Sequence, residues 1–348
     1  MRANGPILVI SLPAIGDFIR SHSAVCLISE QFPDRPIDVV TSSAAVPVAA
    51  FMPHVRRAWA LDKRHLRLGL AARLKLARDL RAEGYGTAYL LTSTTKASLI
   101  PWLARIPERI GYPRELQFGL VNRFPRDWFL QLRTLGRRRK RMFEEMCDIA
   151  TLGERKAPPE GWPRPCLVIP ADRISAWRNS NGIDPSRPAL ALYTSGPGDI
   201  RAWPPERFAA IARDYARQGW SIWLLGSARE RPVAPTIVAA VPGALDFTST
   251  HRIEEALCQI AASTVFLGTD GGLAQAAGAI GVPSVLMFRA TYSYEAGPVN
   301  DQATCLEPPL AVAGSIDSTE GITEVRVREA LDAVVRRTVG DRRNAPLR

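Results

Sequence analysis

The chain has 348 residues, a formal net charge of +11 at pH 7 and 46% apolar residues, so it can form two domains, each with a buried core. No apolar run reaches the roughly 18 residues that a bilayer span needs, and we expect no signal peptide, because the N-terminal apolar run enters a loop without a cleavage pattern. The five cysteines are widely scattered, which indicates reduced thiols in the cytoplasm and no zinc site.

The basic excess, 45 basic against 34 acidic side chains, attracts a protein to nucleic acid, to an anionic membrane or to a phosphorylated substrate. Composition does not separate these partners, and an arginine-rich surface can also follow from genome composition. The densest basic cluster lies at 133–141, where six of nine side chains are positive. It contains no aromatic residues and no known nucleic-acid-binding module follows it, so we expect no nucleic-acid partner.

The first part of the chain alternates predicted strands and helices. Strands are expected at 6–11, 37–40, 55–61 and 86–91, and helices at about 18–31, from about 44, at 66–83 and at 141–152. This alternation predicts a parallel sheet with right-handed crossovers, in which ligands bind beyond the carboxyl ends of strands. Asp17 and residues 92–96 lie at such ends, whereas residues 105–126 read as loop with short pieces of structure.

Residues 157–170 carry five prolines and predict the boundary between domains. We therefore expect an N-terminal domain at 1–160, a C-terminal domain at 161–322, and a C-terminal helix and tail at 323–348. In the second domain, helices are expected at 171–181, 205–218 and 253–262, and strands at 189–193 and 220–225.

Residues 264–288 form the clearest unit of the second domain: a strand, a glycine turn, a helix, a second turn and a second strand. Gly271 and Gly272 at the helix start let the backbone approach a ligand and leave the first-turn N–H groups available for an anion. We interpret this stretch as a phosphate cradle. A βαβ unit whose glycines only make a tight turn explains the stretch alone equally well.

Three loops of the second domain, at 194–201, 226–230 and 269–275, are expected to converge on one sheet edge. They offer glycine N–H groups for phosphates, Arg201 as a cation and Glu230 as an acceptor for ribose hydroxyls, and a nucleotide diphosphate fits this set. The alternatives are a surface arginine and a solvated glutamate at a helix start. The chain has neither a GxGxxG nor a Walker A sequence, which disfavours hydride transfer and P-loop hydrolysis.

The order and spacing of the motifs resemble glycosyltransferase family 9, the lipopolysaccharide heptosyltransferases. The resemblance covers about residues 7–306, and the stretches that carry it are IGDF at 15–18, TKASLIP at 95–101 with residues 106–112, RAWP at 201–204, GSARE at 226–230 and TDGGLAQAAGA at 269–279. It implies an α/β fold of two Rossmann-like doubly wound domains facing across a cleft (GT-B), with the acceptor bound by the N-terminal domain and the nucleotide sugar by the C-terminal domain.

The resemblance also implies an inverting transferase that needs neither metal nor cofactor. It would move a sugar, heptose from ADP-heptose, to the anionic inner core of lipopolysaccharide. Such an enzyme is cytoplasmic and can contact the inner membrane leaflet, where residues 137–141 of the basic cluster would dock; a solvated loop is the alternative for that cluster.

By the same resemblance Asp17 is the general base that takes the proton from the acceptor hydroxyl. The residue pattern alone equally allows Asp17 to cap a helix that begins at Phe18. Arg201 would neutralise the leaving pyrophosphate together with the helix start, and Glu230 would bind the ribose. The full set of implied donor-binding residues is Ser195, Gly196, Arg201, Glu230, Asp270, Gly271, Gly272, Leu273 and Gln275, and the implied acceptor-binding residues are Lys96 and Arg109.

The sequence departs from the family at two positions of one motif. The family pattern is aspartate, serine or threonine, glycine, two further residues and histidine, but Gly271 stands for the hydroxyl residue and Gln275 for the histidine. Glutamine can donate a hydrogen bond but carries no charge and shuttles no proton. Two alternatives therefore stay open: a family 9 relative with another nucleotide sugar or acceptor, and a nucleotide-sugar-binding protein without turnover.

Overall fold

The structure is a computed structural model that describes residues 5–61, 70–115, 117–129, 140–158, 161–248, 252–309 and 321–344. The chain divides into two compact units, Met1–Cys166 (unit 1) and Leu167–Arg348 (unit 2). None of the described helices has the length and apolar character that crossing a bilayer requires.

Unit 1 is built on a five-stranded sheet in the order β3-β2-β1-β4-β5, and every pairing in it is parallel. Its strands are β1 (Ile7–Ile10), β2 (Ile37–Thr41), β3 (Val55–Ala60), β4 (Thr87–Leu90) and β5 (Glu108–Ile110). Its helices are α1 (Ile15–Arg20), α2 (His22–Gln31), α3 (Leu70–Ala82), α4 (Thr95–Leu103) and α5 (Met142–Thr151), with a 3-10 turn at Val46–Phe51. The predicted parallel sheet is confirmed.

Local structure in unit 1 differs from the prediction at three places. The helix expected from Phe18 begins at Ile15 and is interrupted at Ser21, whose hydroxyl donates to the Phe18 carbonyl at 2.6 Å and so competes with helical hydrogen bonds. The helix expected from about residue 44 is the 3-10 turn at Val46–Phe51, and α4 was not predicted because Pro101, which disfavours helix interiors, lies inside it.

Unit 2 contains a six-stranded sheet in the order β11-β10-β9-β6-β7-β8, again with only parallel pairings. Its strands are β6 (Ala189–Tyr193), β7 (Ser221–Leu225), β8 (Leu245–Asp246), β9 (Val265–Thr269), β10 (Ser284–Met287) and β11 (Ala303–Leu306). Its helices are α6 (Ala171–Ser180), α7 (Pro205–Arg217), α8 (Ala234–Ala240), α9 (Ile253–Ala262), α10 (Gly272–Ile280), α11 (Ser293–Ala296) and α12 (Glu324–Asn344), with a 3-10 turn at Arg231–Val233.

Both sheets are doubly wound, and their strand order fixes where a ligand can bind. The order reverses between β1 and β4 in unit 1 and between β6 and β9 in unit 2. Where the order reverses, the connections that follow the two neighbouring strands run to opposite faces of the sheet. They leave a crevice at the carboxyl ends of these two strands. Asp17 follows β1, while Ser195 and Gly271 follow β6 and β9, so these predicted site residues lie next to the two reversals.

A buried carboxylate ties β2 to β3 in unit 1. Asp38 is fully buried and accepts from Arg56 Nε and Nη2 at 2.8 and 2.6 Å, from Arg57 Nη2 at 3.4 Å and from the Tyr85 hydroxyl. Burial by itself would raise the pKa of Asp38, but the hydrogen bonds from Arg56 and Tyr85 and the two arginine charges together hold it below its ordinary value.

The Asp38 cluster predicts a pH-dependent contribution to stability. Since the folded-state pKa is depressed, the stabilisation is present above the unfolded value of about 3.9 and disappears as the pH falls through the folded value. We expect Asp38→Asn to lower the free energy of unfolding by about 2 to 3 kcal/mol at pH 7, because it breaks a buried ion pair whose arginines stay partly solvated.

Urea denaturation of wild type and Asp38→Asn at pH 7 and pH 3 measures this effect, with the exposed Asp34→Asn as the matched control. The difference between wild type and Asp38→Asn should shrink at pH 3. A difference of the same size at both pH values would show that the carboxylate charge contributes nothing.

Candidate active site

A cavity of about 330 Å³ lies at the carboxyl ends of β1, β2 and β4 in unit 1, beside the reversal of strand order. Lys96, at the second position of α4, lines it as the acceptor role implies. The lining also includes Ser11, Pro13, Thr41, Arg73, Thr92, Thr94 and Glu115.

Arg73 is a cation of this cavity that was not predicted from the sequence. It is 6% exposed, and its Nε donates to the Lys96 carbonyl at 3.2 Å. Glu115 on the same cavity accepts the Thr95 N–H at 2.7 Å and so closes the start of α4. Arg73 and Lys96 together place two positive side chains on one cavity, which favours an anionic ligand.

Asp17 occupies the third position of α1, with its side chain 31% exposed and its Oδ1 3.8 Å from Arg20 Nη1. The N-cap position belongs to Ala14, which makes no side-chain capping bond, so Asp17 is not the cap of a helix that starts at Phe18. A first-turn carboxylate is stabilised by the helix dipole, and the solvent-facing part of Asp17 can accept a proton. Its role as general base stays a prediction.

The other predicted acceptor-binding residue, Arg109, differs from Lys96. Arg109 is absent from the lining of the cavity, and its guanidinium donates to the carbonyls of Ile106 at 2.6 Å, Leu120 at 2.6 Å and Gly119 at 2.9 Å. These bonds hold a loop of its own unit, and acceptor binding by Arg109 stays a prediction.

The basic cluster at 133–141 lies largely outside the described residues, which resume at Lys140. Lys140 Nζ contacts Asp127 at 2.6 Å and Asp148 at 2.7 Å. Lys140 is therefore ion-paired with two carboxylates of unit 1, and a docking role would depend on the arginines of the cluster.

The three predicted loops of unit 2 do converge, and this prediction is confirmed. Ser195 Oγ lies 2.6 Å from Thr269 Oγ1, which joins the first loop to the end of β9. A Cβ on Gly196 would collide with the carbonyl oxygen of Arg229, so glycine is required where the first and second loops touch. Ser195 itself has a φ of 59°, a left-handed conformation that serine rarely adopts and that is typical of functional loops.

Arg201 is held by a carboxylate of its own loop. Its Nε and Nη2 donate to the two Asp199 oxygens at 2.8 and 2.6 Å. Hydrogen bonds from Arg201 lower the pKa of Asp199 to about 2, and the same bonds raise the pKa of Arg201. The guanidinium is thus fixed in orientation with a third of its side chain exposed, and an incoming phosphate would share it with Asp199.

Glu230 is not a solvated glutamate, since it is only 6% exposed. Its Oε2 accepts the Ser227 N–H at 2.6 Å and the Ser227 hydroxyl at 2.7 Å. Gly226 has a φ of 152°, and a Cβ at this position would collide with the side chain of Glu230, so this loop requires glycine. Among the described residues, none donates a hydrogen bond to Glu230 Oε1.

Asp270 and Gln275 link the phosphate-cradle motif to the segment after β10. Asp270 Oδ2 accepts the Thr291 hydroxyl at 2.7 Å, and Gln275 Nε2 donates to the Ala296 carbonyl at 2.6 Å. Gly272 begins α10, and Leu273 in its first turn is 9% exposed. The polar atoms of Asp270 and Gln275 therefore connect this motif to the segment after β10, and anion binding by the first-turn N–H groups of α10 stays a prediction.

Tyr193 is a further residue at this site that the sequence analysis missed. It is the last residue of β6, and its ring lies against Gly271. Its place at the carboxyl end of a central parallel strand is the only signal that could have indicated it.

Two doubly wound α/β units, with a cavity at the strand ends of unit 1 and converging charged loops at the strand ends of unit 2, define a protein of the GT-B class. Residues 73–313 match glycosyltransferase family 9 (heptosyltransferase), and the chain belongs to this family. It is a glycosyltransferase, as the motifs predicted.

Relatives of known identity extend the match over most of the chain. Lipooligosaccharide heptosyltransferase 2 of Haemophilus influenzae is 27% identical over 316 residues, which cover 86% of this chain and 88% of that protein. Lipopolysaccharide heptosyltransferase 2 of Escherichia coli K12 is 25% identical over 351 residues, covering 94% and 98%. The solved E. coli ADP-heptose lipopolysaccharide heptosyltransferase II superposes with a TM-score of 0.80 at 25% identity and covers 95% of this chain and 98% of its own.

Proposed function

We propose that the protein transfers heptose from ADP-heptose to the inner core of lipopolysaccharide, with inversion at the sugar carbon and without a metal. The observation that carries this proposal is the convergence of Arg201, Glu230 and the start of α10 at the carboxyl ends of the unit 2 strands. The names of the relatives support the donor and the acceptor.

The donor half of the proposal assigns each loop one part of the nucleotide diphosphate. The α10 N–H groups and Arg201 take the pyrophosphate, whose negative charge grows as the glycosidic bond breaks. Glu230 Oε1 accepts from a ribose hydroxyl, since Oε2 is already occupied by Ser227. A fixed guanidinium and a helix end supply the positive charge that a metal would otherwise supply.

The acceptor half places the reacting hydroxyl at Asp17. The carboxylate removes the hydroxyl proton while the acceptor oxygen attacks the anomeric carbon, and the nucleoside diphosphate leaves with the bonding electrons. One such displacement inverts the anomeric configuration. Arg73 and Lys96 on the unit 1 cavity would hold the anionic groups of the inner core.

Peripheral contact with the inner leaflet is part of this proposal, because the acceptor is held in a membrane. Each basic residue near an anionic surface contributes about 1 kcal/mol. We expect replacement of Arg137, Arg138 and Arg139 by glutamine to weaken binding to phosphatidylglycerol-containing vesicles by roughly tenfold or more, as measured by co-sedimentation at fixed salt.

The control for this experiment replaces Arg213, Arg217 and Arg252, which are exposed in unit 2, and removes the same charge. Equal vesicle binding by wild type and by both triple variants would contradict the docking role of the cluster. Equal weakening in both variants would show that only net charge matters.

Calorimetric binding of ADP, UDP, GDP and CMP to the purified protein tests the donor class. We expect ADP to bind most tightly. A preference for another nucleotide would keep the family and replace the donor, whereas a protein that binds none of them would contradict the proposed function.

A further inference from the structure

The space beside Gly271 is filled by a tyrosine. A Cβ on Gly271 would lie 2.7 Å from Cε1 and 2.9 Å from the hydroxyl oxygen of Tyr193. The φ of Gly271 is 175°, an extended conformation open to any residue, so the close ring is what requires glycine here. The Tyr193 hydroxyl therefore lies where the first side-chain atoms of a larger residue 271 would be, directly before α10.

The charged groups around Tyr193 are those of the proposed donor site. Glu230, Arg201, Asp199 and Asp270 all act electrostatically on its hydroxyl. Burial, followed by the nearby Glu230 charge, raises the pKa of Tyr193 to about 12. The phenol is consequently protonated at neutral pH and has a hydrogen to donate.

The hydroxyl of Tyr193 donates to no acceptor within the part of the chain that the structure describes. Tyr193 is half-buried, whereas the buried Tyr85, Tyr112 and Tyr215 each donate to an aspartate. Tyr193 differs from these three in lying at the strand ends where the donor is expected.

We propose that the Tyr193 hydroxyl donates a hydrogen bond to a phosphate oxygen of the bound nucleoside diphosphate and so supplies the side-chain hydroxyl that Gly271 lacks. This inference rests on the proposed function and deepens it by adding a donor-binding residue. The glycine at 271, which departs from the family pattern, and the ring of Tyr193 then complement each other: the ring excludes a side chain at 271 and brings its own hydroxyl to the same place.

Tyr193→Phe tests the proposal because it removes one oxygen and keeps the ring. A hydrogen bond to a charged group is worth a factor of about 10 to 100 in affinity. Calorimetry should show ADP binding weakened by that factor, while adenosine, which has no phosphate, should compete for the site as it does with wild type.

Tyr215→Phe is the matched control, since it removes a tyrosine hydroxyl of unit 2 that bonds Asp332 at 2.9 Å and should leave ADP affinity unchanged. The double variant Tyr193→Ala with Gly271→Ser returns a hydroxyl to the helix start. It should bind ADP at least tenfold more tightly than Tyr193→Ala alone if a charge-assisted hydrogen bond is restored.

Several results would overturn the role of Tyr193. Wild-type ADP affinity in Tyr193→Phe, an equal loss for ADP and adenosine, or no gain from the added serine would each reduce Tyr193 to a packing residue. Failure of the proposed donor site is distinguishable from these results, because the wild-type protein would then bind no nucleoside diphosphate.

Discussion

Asp17→Asn is expected to lower the turnover number by at least tenfold and to leave the affinity for ADP unchanged. A positioned general base contributes about 10²- to 10⁴-fold to a rate, and asparagine cannot take the acceptor proton. The substitution is nearly isosteric at a partly exposed first-turn position, so the helix should be preserved. Initial rates at saturating donor and acceptor, together with calorimetric titration of ADP, measure the two expectations separately.

The exposed Asp34→Asn is the control for the loss of one carboxylate from unit 1, and it should retain the wild-type rate. Full activity of Asp17→Asn would remove Asp17 from the mechanism. A parallel loss of ADP affinity would instead indicate that Asp17 supports the fold or the donor.

Arg201→Ala is the second substitution with a large expected effect. Removing a cation that contacts phosphate costs roughly 1.5 to 3 kcal/mol, which corresponds to about 10- to 100-fold weaker ADP binding. The turnover number should fall as well, because the charge on the pyrophosphate is greatest as it leaves. Steady-state rates and ADP titrations on the same preparation provide both quantities.

Arg201→Lys separates charge from geometry. Lysine retains the positive charge but loses the two-pronged contact that Arg201 makes with Asp199, so an intermediate loss is expected. Arg217→Ala, at the exposed end of α7, removes an arginine elsewhere in unit 2 and should change neither quantity. Unchanged ADP binding in Arg201→Ala would show that Arg201 serves only Asp199.

The central elements of unit 2 could be predicted closely from the sequence. β6 and α9 have the expected bounds, 189–193 and 253–262, because buried apolar runs and amphipathic turns are bounded there by glycine, proline or polar residues. The short or edge elements could not be predicted, since β5, β8 and β11 are only partly buried and exist through pairing with a neighbour that the local pattern does not reveal.

The candidate site, like the fold, could be predicted from the sequence only in part. The loops and their glycines are visible in the sequence, because parallel strands bring their carboxyl ends to one edge. The pairing of Arg201 with Asp199, the engagement of Gln275 by Ala296 and the approach of Tyr193 to Gly271 depend on ångström-scale geometry. Local sequence does not encode these contacts. Nor does it reveal that the guanidinium of Arg109 donates a hydrogen bond to a carbonyl of its own loop.

Heptosyl transfer by the purified protein, from ADP-heptose to a deacylated lipopolysaccharide inner-core acceptor in the presence of EDTA, tests the central claim most directly. The expected result is one ADP released per heptose transferred, a product with inverted anomeric configuration by NMR, and a rate that EDTA does not lower. ADP binding without transfer, with turnover appearing only in Gln275→His, would contradict the proposal and identify a nucleotide-sugar-binding protein that has lost catalysis.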